Sequence, residues 1–182
     1  RNVDGKGIAA LRSAGIEVST GIKKEEIEEQ LVPYLHHRRT GRPYVVVKVA
    51  ATLDGRIAAP DGTSQWITSP LTRAEGHRLR AYSDAVCVGA GTVREDNPRL
   101  TVRDWSPAFG GEDLSNPLRV VLGEIPPNAL IHPCIKMEGD IEGILIELGK
   151  RGILQLLVEG GANTIHRFHK ARMEKILKKT IK

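Results

Sequence analysis

The sequence predicts an α/β fold built on a mostly parallel sheet with helices on both faces. Three observations carry this. Aliphatic runs such as YVVVKV, DAVCVG and LQLLV are apolar at nearly every position rather than at alternate ones, as in strands covered on both sides. Stretches of helical periodicity separate these runs. A glycine turn follows two of them, GAGT at 89–92 and EGGANT at 159–164, as happens where strand passes into helix. Strands alternating with helices favour parallel neighbours joined by crossovers.

The bulk composition narrows the classes. A chain of 182 residues, 40% hydrophobic, can bury one substantial core and an appended subdomain. Aromatics at 4% are too sparse for a surface that stacks bases, so nucleic-acid binding is not expected. The formal net charge of +5 attracts phosphates of any kind without choosing among them. Cys87 and Cys134 have neither zinc-site spacing nor the density of a disulfide scaffold, and are expected as reduced thiols in a cytoplasmic protein. No stretch has the apolar length of a membrane span, and RNVDGKG lacks a signal peptide's hydrophobic region. The chain opens on arginine rather than methionine and reads as a fragment.

In chain order, GIAALRSAGIEVSTGI from Gly7 reads as a short helix with Ile8, Leu11 and Ile16 apolar. Gly15 stops it, and a brief Ile-Glu-Val strand follows. In KKEEIEEQLVPYLHHRRTGRP, Ile27, Leu31 and Leu35 share a helical face, with Pro33 able to divide the element in two. His36, His37, Arg38 and Arg39 are expected at a solvated helix end, because adjacent histidines on a helix diverge and do not make a metal pair. YVVVKVAATLDGRIA is a strand interrupted by Lys48, which either faces a ligand or snorkels from the strand end.

Thr68 or Ser69 caps a helix beginning near Pro70, with Leu79 apolar and Arg73, His77, Arg78 and Arg80 basic. DAVCVG, NPLRVVLG and ILQLLVEG are three further strands, the last followed by a helix through ANTIHRF. One clear helix, Ile141 to Leu148, lies in the segment before ILQLLVEG. The tail MEKILKKTIK fits either the end of an amphipathic helix or a truncated strand, its lysines a solvated face.

Backbone amides at a glycine turn that opens a helix seat a phosphate or pyrophosphate. GAGTVR places Arg94 where the dinucleotide fingerprint has its third glycine, so a conventional Rossmann domain is not expected. Motifs for acyl transfer, metal-assisted hydrolysis and nucleoside triphosphate chemistry do not occur either. A cofactor enzyme fits what remains. Glu159 leaves its strand beside the second turn, at the sheet edge where α/β proteins bind ligands; capping the following amides is the alternative. Arg80 and Arg103 serve as phosphate forks if the fold brings them together.

The blocks VKVAATLDGRIAAPDGTSQWIT, HRLRAYSDAVCVGAGTVREDNPRLTVR and LLVEGGA, in that order, resemble the reductase domain of the bifunctional riboflavin biosynthesis deaminase/reductase family. The resemblance covers about Arg42 to Arg167. RNVDGKGIAALRSAGIEV resembles the last helix and strand of that family's deaminase domain, and YLHHRRTGRP its connector. Residues 1–40 are therefore expected to be the deaminase remnant and connector, and 41–182 the reductase domain.

The resemblance implies a dihydrofolate-reductase-like α/β fold with a mixed, mostly parallel sheet flanked by helices. It also implies NADPH-dependent reduction of 5-amino-6-(5-phosphoribosylamino)uracil to the ribitylamino form, with a phosphorylated ribosylaminopyrimidine as substrate. A non-catalytic nucleotide- or metabolite-binding member of the fold is the alternative. By position, Ser64, Arg80, Leu100, Arg103 and Glu159 match substrate-binding places. Ala50, Trp66, Thr92 and Asp96 match cofactor-binding places, as does the turn Gly161, Ala162, Asn163, Thr164, Ile165, His166 and Arg167. Lys48 and Glu159 are the candidate catalytic residues, and Asp54 lies in the same signature turn as Lys48. A homodimer is expected, with no metal, nucleic acid or membrane partner. The family has a longer stretch with another strand after NPLRVVLG, and further strands beyond KKTIK.

Overall fold

The computed structural model describes residues 4–50, 69–103, 105–107, 115–171 and 179–180. Two compact units divide between Val32 and Pro33. The first holds helices α1 (Lys6–Ser13) and α2 (Lys24–Gln30). The expected Ile16–Val18 strand is absent: these residues carry no regular structure, and Ile16 is exposed. An extended segment persists as a strand only where a neighbour takes up its backbone groups, and none pairs with it among the described residues.

The second unit begins in helix α3 (Val32–Thr40), so the chain does divide near Pro33 into two helices. Strand β1 (Tyr44–Val49) follows, then α4 (Pro70–Ala81), β2 (Ala85–Gly89), α5 (Ala90–Asp96), β3 (Leu118–Leu122), β4 (Ile135–Met137), α6 (Ile141–Lys150), β5 (Gln155–Val158), α7 (Ala162–Lys170) and β6 (Lys179–Thr180). The Ser69 hydroxyl accepts from Thr72 N at 3.3 Å and caps α4 as expected. The residue pattern alone missed β4, which has three residues with exposed Lys136 at the centre and pairs only with β3 among the described residues. So short an edge strand carries no continuous apolar run.

The strands form one sheet in the order β4-β3-β2-β5-β1-β6, with every described pairing parallel. Alternation sends Val45, Val47, Ala85, Cys87, Val120, Leu156 and Val158 to one face, where α6 and Phe168 of α7 cover them. Val46, Val86, Val88, Val121 and Leu157 fill the other face, against Leu79 of α4 and Ala90 and Val93 of α5. Asp84 ties the strand starts together: its carboxylate accepts from Leu154 N at 2.8 Å and Gln155 N at 2.9 Å, and its carbonyl accepts from Leu118 N.

Helix α3 reaches α6 through His37, which corrects the expectation for the histidines. His37 is half-buried with Nε2 2.9 Å from Gly149 O, and His36 meets the Tyr44 ring edge-on at 5.8 Å. A polar run at a helix end reads as solvated until a neighbouring helix covers it. Among the described residues, no helix is long and apolar enough to cross a membrane.

Candidate active site

Neighbouring strands β2 and β5 send their connections to opposite faces of the sheet. Helix α5 joins the cluster around Val86 and Val88, whereas Phe168 and Ile165 of α7 join the cluster around Cys87 and Val158. A parallel sheet opens a crevice at the carboxyl ends of such a strand pair, and both glycine turns lie there. Thr164 holds them together. A Cβ at Gly89 would stand 2.5 Å from Thr164 Oγ1, and one at Gly160 would stand 2.6 Å from Thr164 Cβ. The absence of side chains at both glycines therefore admits the threonine between the turns. On the outer side, a Cβ at Gly161 would lie 4.0 Å from Thr92 Oγ1. No side chain caps α7, which starts from Gly161 with Ala162 and Asn163 exposed; its first-turn amides suit an anionic group.

An ion cluster borders the crevice on the α4 side. Val47 of β1 and Cys87 of β2 both register with Val158, so the next residues, Lys48 and Glu159, come level on the face that carries Val46 and Leu157. Lys48 Nζ lies 3.4 Å from Glu159 Oε2. Arg80, reaching from α4, grips the same carboxylate with Nε at 2.5 Å from Oε1 and Nη2 at 2.9 Å from Oε2. The Glu159 side chain is 6% exposed, Arg80 14% and Lys48 25%, so the lysine keeps the most access to solvent. Burial alone would raise the Glu159 carboxyl, but hydrogen bonds and charge from Arg80, then Lys48, hold it below the usual glutamate value. Glu159 is thus an ionised anchor between two cations, and the capping alternative drops out.

The segment after α5 closes the cluster. Arg80 Nη1 donates to Thr101 O at 3.1 Å. His77 Nδ1 lies 3.1 Å from the same carbonyl, and Arg103 N–H donates to Nδ1 at 3.3 Å. Arg103 Nη1 donates to Thr101 Oγ1 at 3.2 Å. Arg80 and Arg103 thus both bond Thr101, Arg80 at its carbonyl and Arg103 at its hydroxyl.

The other candidate positions divide. Ala50 follows β1 directly and is half-buried; Thr92 and exposed Asp96 lie on α5. Leu100 is only 4% exposed, at a left-handed φ of 50°, and packs in the cluster with Val88 and Val93. Ile165 packs on the opposite core, His166 is exposed, and Arg167 Nη2 donates to Gly139 O at 2.8 Å. Ser64, Trp66 and Asp54 lie outside the described residues. In the sequence His77 is one more basic position on α4, yet its ring is buried and joins α4 to the Thr101 segment. Its one sequence signal is the spacing of His77 and Arg80, which share a helix face.

Among the described residues, no group of acidic, histidine or cysteine side chains could hold a metal ion. Neither cysteine serves the cluster. Burial pushes the Cys87 thiol up to about 12, against a weaker opposing pull from Arg167. Cys134 is half-exposed. Iodoacetamide is therefore expected to modify Cys134 in the native protein and Cys87 only after denaturation, which intact-mass measurement before and after urea reads directly.

Residues 43–174 match the family described as RibD C-terminal domain. The chain is 39% identical over 193 residues to the riboflavin biosynthesis protein RibD of Chlamydia trachomatis, covering 86% of this chain and 50% of that protein. It thus spans about half the length of the curated relatives it matches first. Among solved structures, RibD of Acinetobacter baumannii aligns with a TM-score of 0.80 at 33% identity, over 93% of this chain and 54% of that one. A diaminohydroxyphosphoribosylaminopyrimidine deaminase/5-amino-6-(5-phosphoribosylamino)uracil reductase from Thermotoga maritima aligns with a TM-score of 0.75 at 33% identity, over 100% of this chain and 59% of that one.

Proposed function

The chain belongs to the RibD C-terminal domain family, and on that premise we propose that it is an NADPH-dependent reductase of riboflavin biosynthesis. Its substrate is 5-amino-6-(5-phosphoribosylamino)uracil and its product the ribitylamino pyrimidine. The observation that supports this most is the meeting of both glycine turns at the β2/β5 crevice, with the Lys48–Glu159–Arg80 cluster on its border. A dinucleotide and a phosphorylated sugar each need an anion seat, and one crevice offers amides on one side and arginines on the other.

The uncapped first turn of α7, with Thr92 and Gly161 facing each other, holds the pyrophosphate. The bound dinucleotide supplies the hydride that C1 of the ring-opened ribose accepts. Arg103, with whatever donors Arg80 has left after engaging Glu159 and Thr101, takes the ribose phosphate. Lys48 delivers the proton that opens the sugar, oriented by the Glu159 carboxylate; Glu159, held ionised, does not donate one at neutral pH. The protein's share is proximity and placed charge. The enzyme works in the cytoplasm as a homodimer. Residues 1–40 correspond to the end of a preceding deaminase domain and a connector.

Loss of nicotinamide absorbance on adding substrate to protein and NADPH tests the reading, with the ribitylamino product identified by mass. Lys48→Ala is expected to reduce kcat by roughly 10²–10⁴ while cofactor binding persists. Wild-type protein that consumes no NADPH with the authentic substrate would overturn the assignment.

A further inference from the structure

We propose that His77 is a positioning residue for anion recognition: its Nδ1 holds the Arg103 backbone amide and so aims the Arg103 side chain at the substrate phosphate. The inference rests on the reading of the crevice as a reductase site, and it assigns a role to a residue on α4 that the resemblance leaves without one.

The geometry sets the direction of the bond. Nδ1 stands near one acceptor, Thr101 O at 3.1 Å, and two donors, Arg103 N–H at 3.3 Å and Arg80 Nη1 at 3.5 Å. A neutral imidazole nitrogen serves one or the other. Thr101 O already accepts from Arg80 Nη1 at 3.1 Å and two donors face Nδ1, so Nδ1 is the acceptor of the Arg103 N–H. His77 and Arg80, one turn apart on a single helix, then clamp the amide of Arg103 and the carbonyl of Thr101, while the Arg103 side chain bonds the Thr101 hydroxyl through Nη1.

The segment needs such a clamp. Leu100 holds a left-handed φ of 50° while buried, a conformation that a branched side chain keeps only where its surroundings over-determine it. Leu100 is anchored by apolar packing, Thr101 and Arg103 by α4, and Val102 N–H by Asn116 Oδ1 at 2.7 Å. His77 is 7% exposed, so the Nδ1 bond to Arg103 forms away from competing water. A displacement of Arg103 weakens substrate binding more than turnover, because the phosphate is remote from C1 and its contacts are shared by ground and transition states.

The test compares His77→Asn, which keeps an acceptor near the place of Nδ1, with His77→Gln and His77→Leu, which do not. Kinetics with NADPH and the aminouracil substrate are run beside equilibrium binding of ribose 5-phosphate, a probe that needs no turnover. His77→Gln and His77→Leu are expected to raise KM and weaken ribose 5-phosphate about tenfold with kcat within about twofold, whereas His77→Asn stays within about threefold of wild type. If His77→Leu does not fold, the Asn/Gln pair carries the comparison. Equal KM and equal ribose 5-phosphate affinity in wild type and His77→Gln overturn the role, as does a parallel loss in all three variants or a wild type that does not bind the probe. Failure of the reductase reading looks different: ribose 5-phosphate still distinguishes the variants, but NADPH is not consumed.

Discussion

Glu159→Gln is expected to destabilise the protein by about 3 kcal/mol at neutral pH, because an amide leaves Arg80 and Lys48 facing each other without the charge that holds them. Urea denaturation of the two proteins measures it. The pH dependence makes the effect specific. The Glu159 carboxyl is held below its usual value against the opposing effect of its own burial, so its contribution is fully present above the unfolded-state pKa and is lost as pH falls through the folded one. In the acidic range below the ordinary glutamate value, wild type therefore loses this stability and the variant has none of it to lose. The two denaturation midpoints converge on acidification. A gap that stays constant from neutral to strongly acidic buffer would mean that the carboxylate is not the source of the difference.

The second large effect lies in a single helix. Gly149→Ala is expected to cost roughly 3 kcal/mol or more, since a Cβ there would stand against the Gly41 carbonyl oxygen and 3.2 Å from Arg42 Cα. Both neighbours are backbone, and this stretch is also held by the His37 contact with Gly149 O and the Arg42–Glu142 pair, so neither can step aside cheaply. Gly143→Ala in the same helix would place its Cβ 3.5 Å from Asp140 Oδ1, an ordinary contact, and keeps the amide that Asp140 caps. That change is expected to be neutral or to stabilise by about 0.5–1 kcal/mol through helix propensity. Thermal unfolding of the pair measures the contrast. Equal melting points would show that the connector does not press on α6 as the structure has it.

These contrasts mark where residue reading ends. Gly143 and Gly149 look alike in GDIEGILIELGK, one the third residue of α6 and the other the second from its end, and only the arrival of Gly41 from more than a hundred residues away separates them. His37 reads as a solvated helix end for the same reason. The Ile16–Val18 stretch has strand-like residues but no described partner, and β4 has a partner but hardly any apolar pattern. Local composition reports what a segment prefers, whereas a strand exists only where its backbone groups are taken up by another.

By itself the sequence determined the α/β class, most strand positions, the Ser69 cap and the two glycine turns, because burial on both faces of a strand and the demands of a tight turn are written in neighbouring residues. It also named Lys48, Arg80, Arg103 and Glu159 as candidates. Only the tertiary structure decided that the turns meet at one crevice, that Arg80 and Lys48 share the Glu159 carboxylate, and that His77 grips the Arg103 segment. The reason is physical: each of those contacts joins side chains or backbone from separate elements, and their approach depends on strand order and on the face each helix covers, which no local stretch encodes.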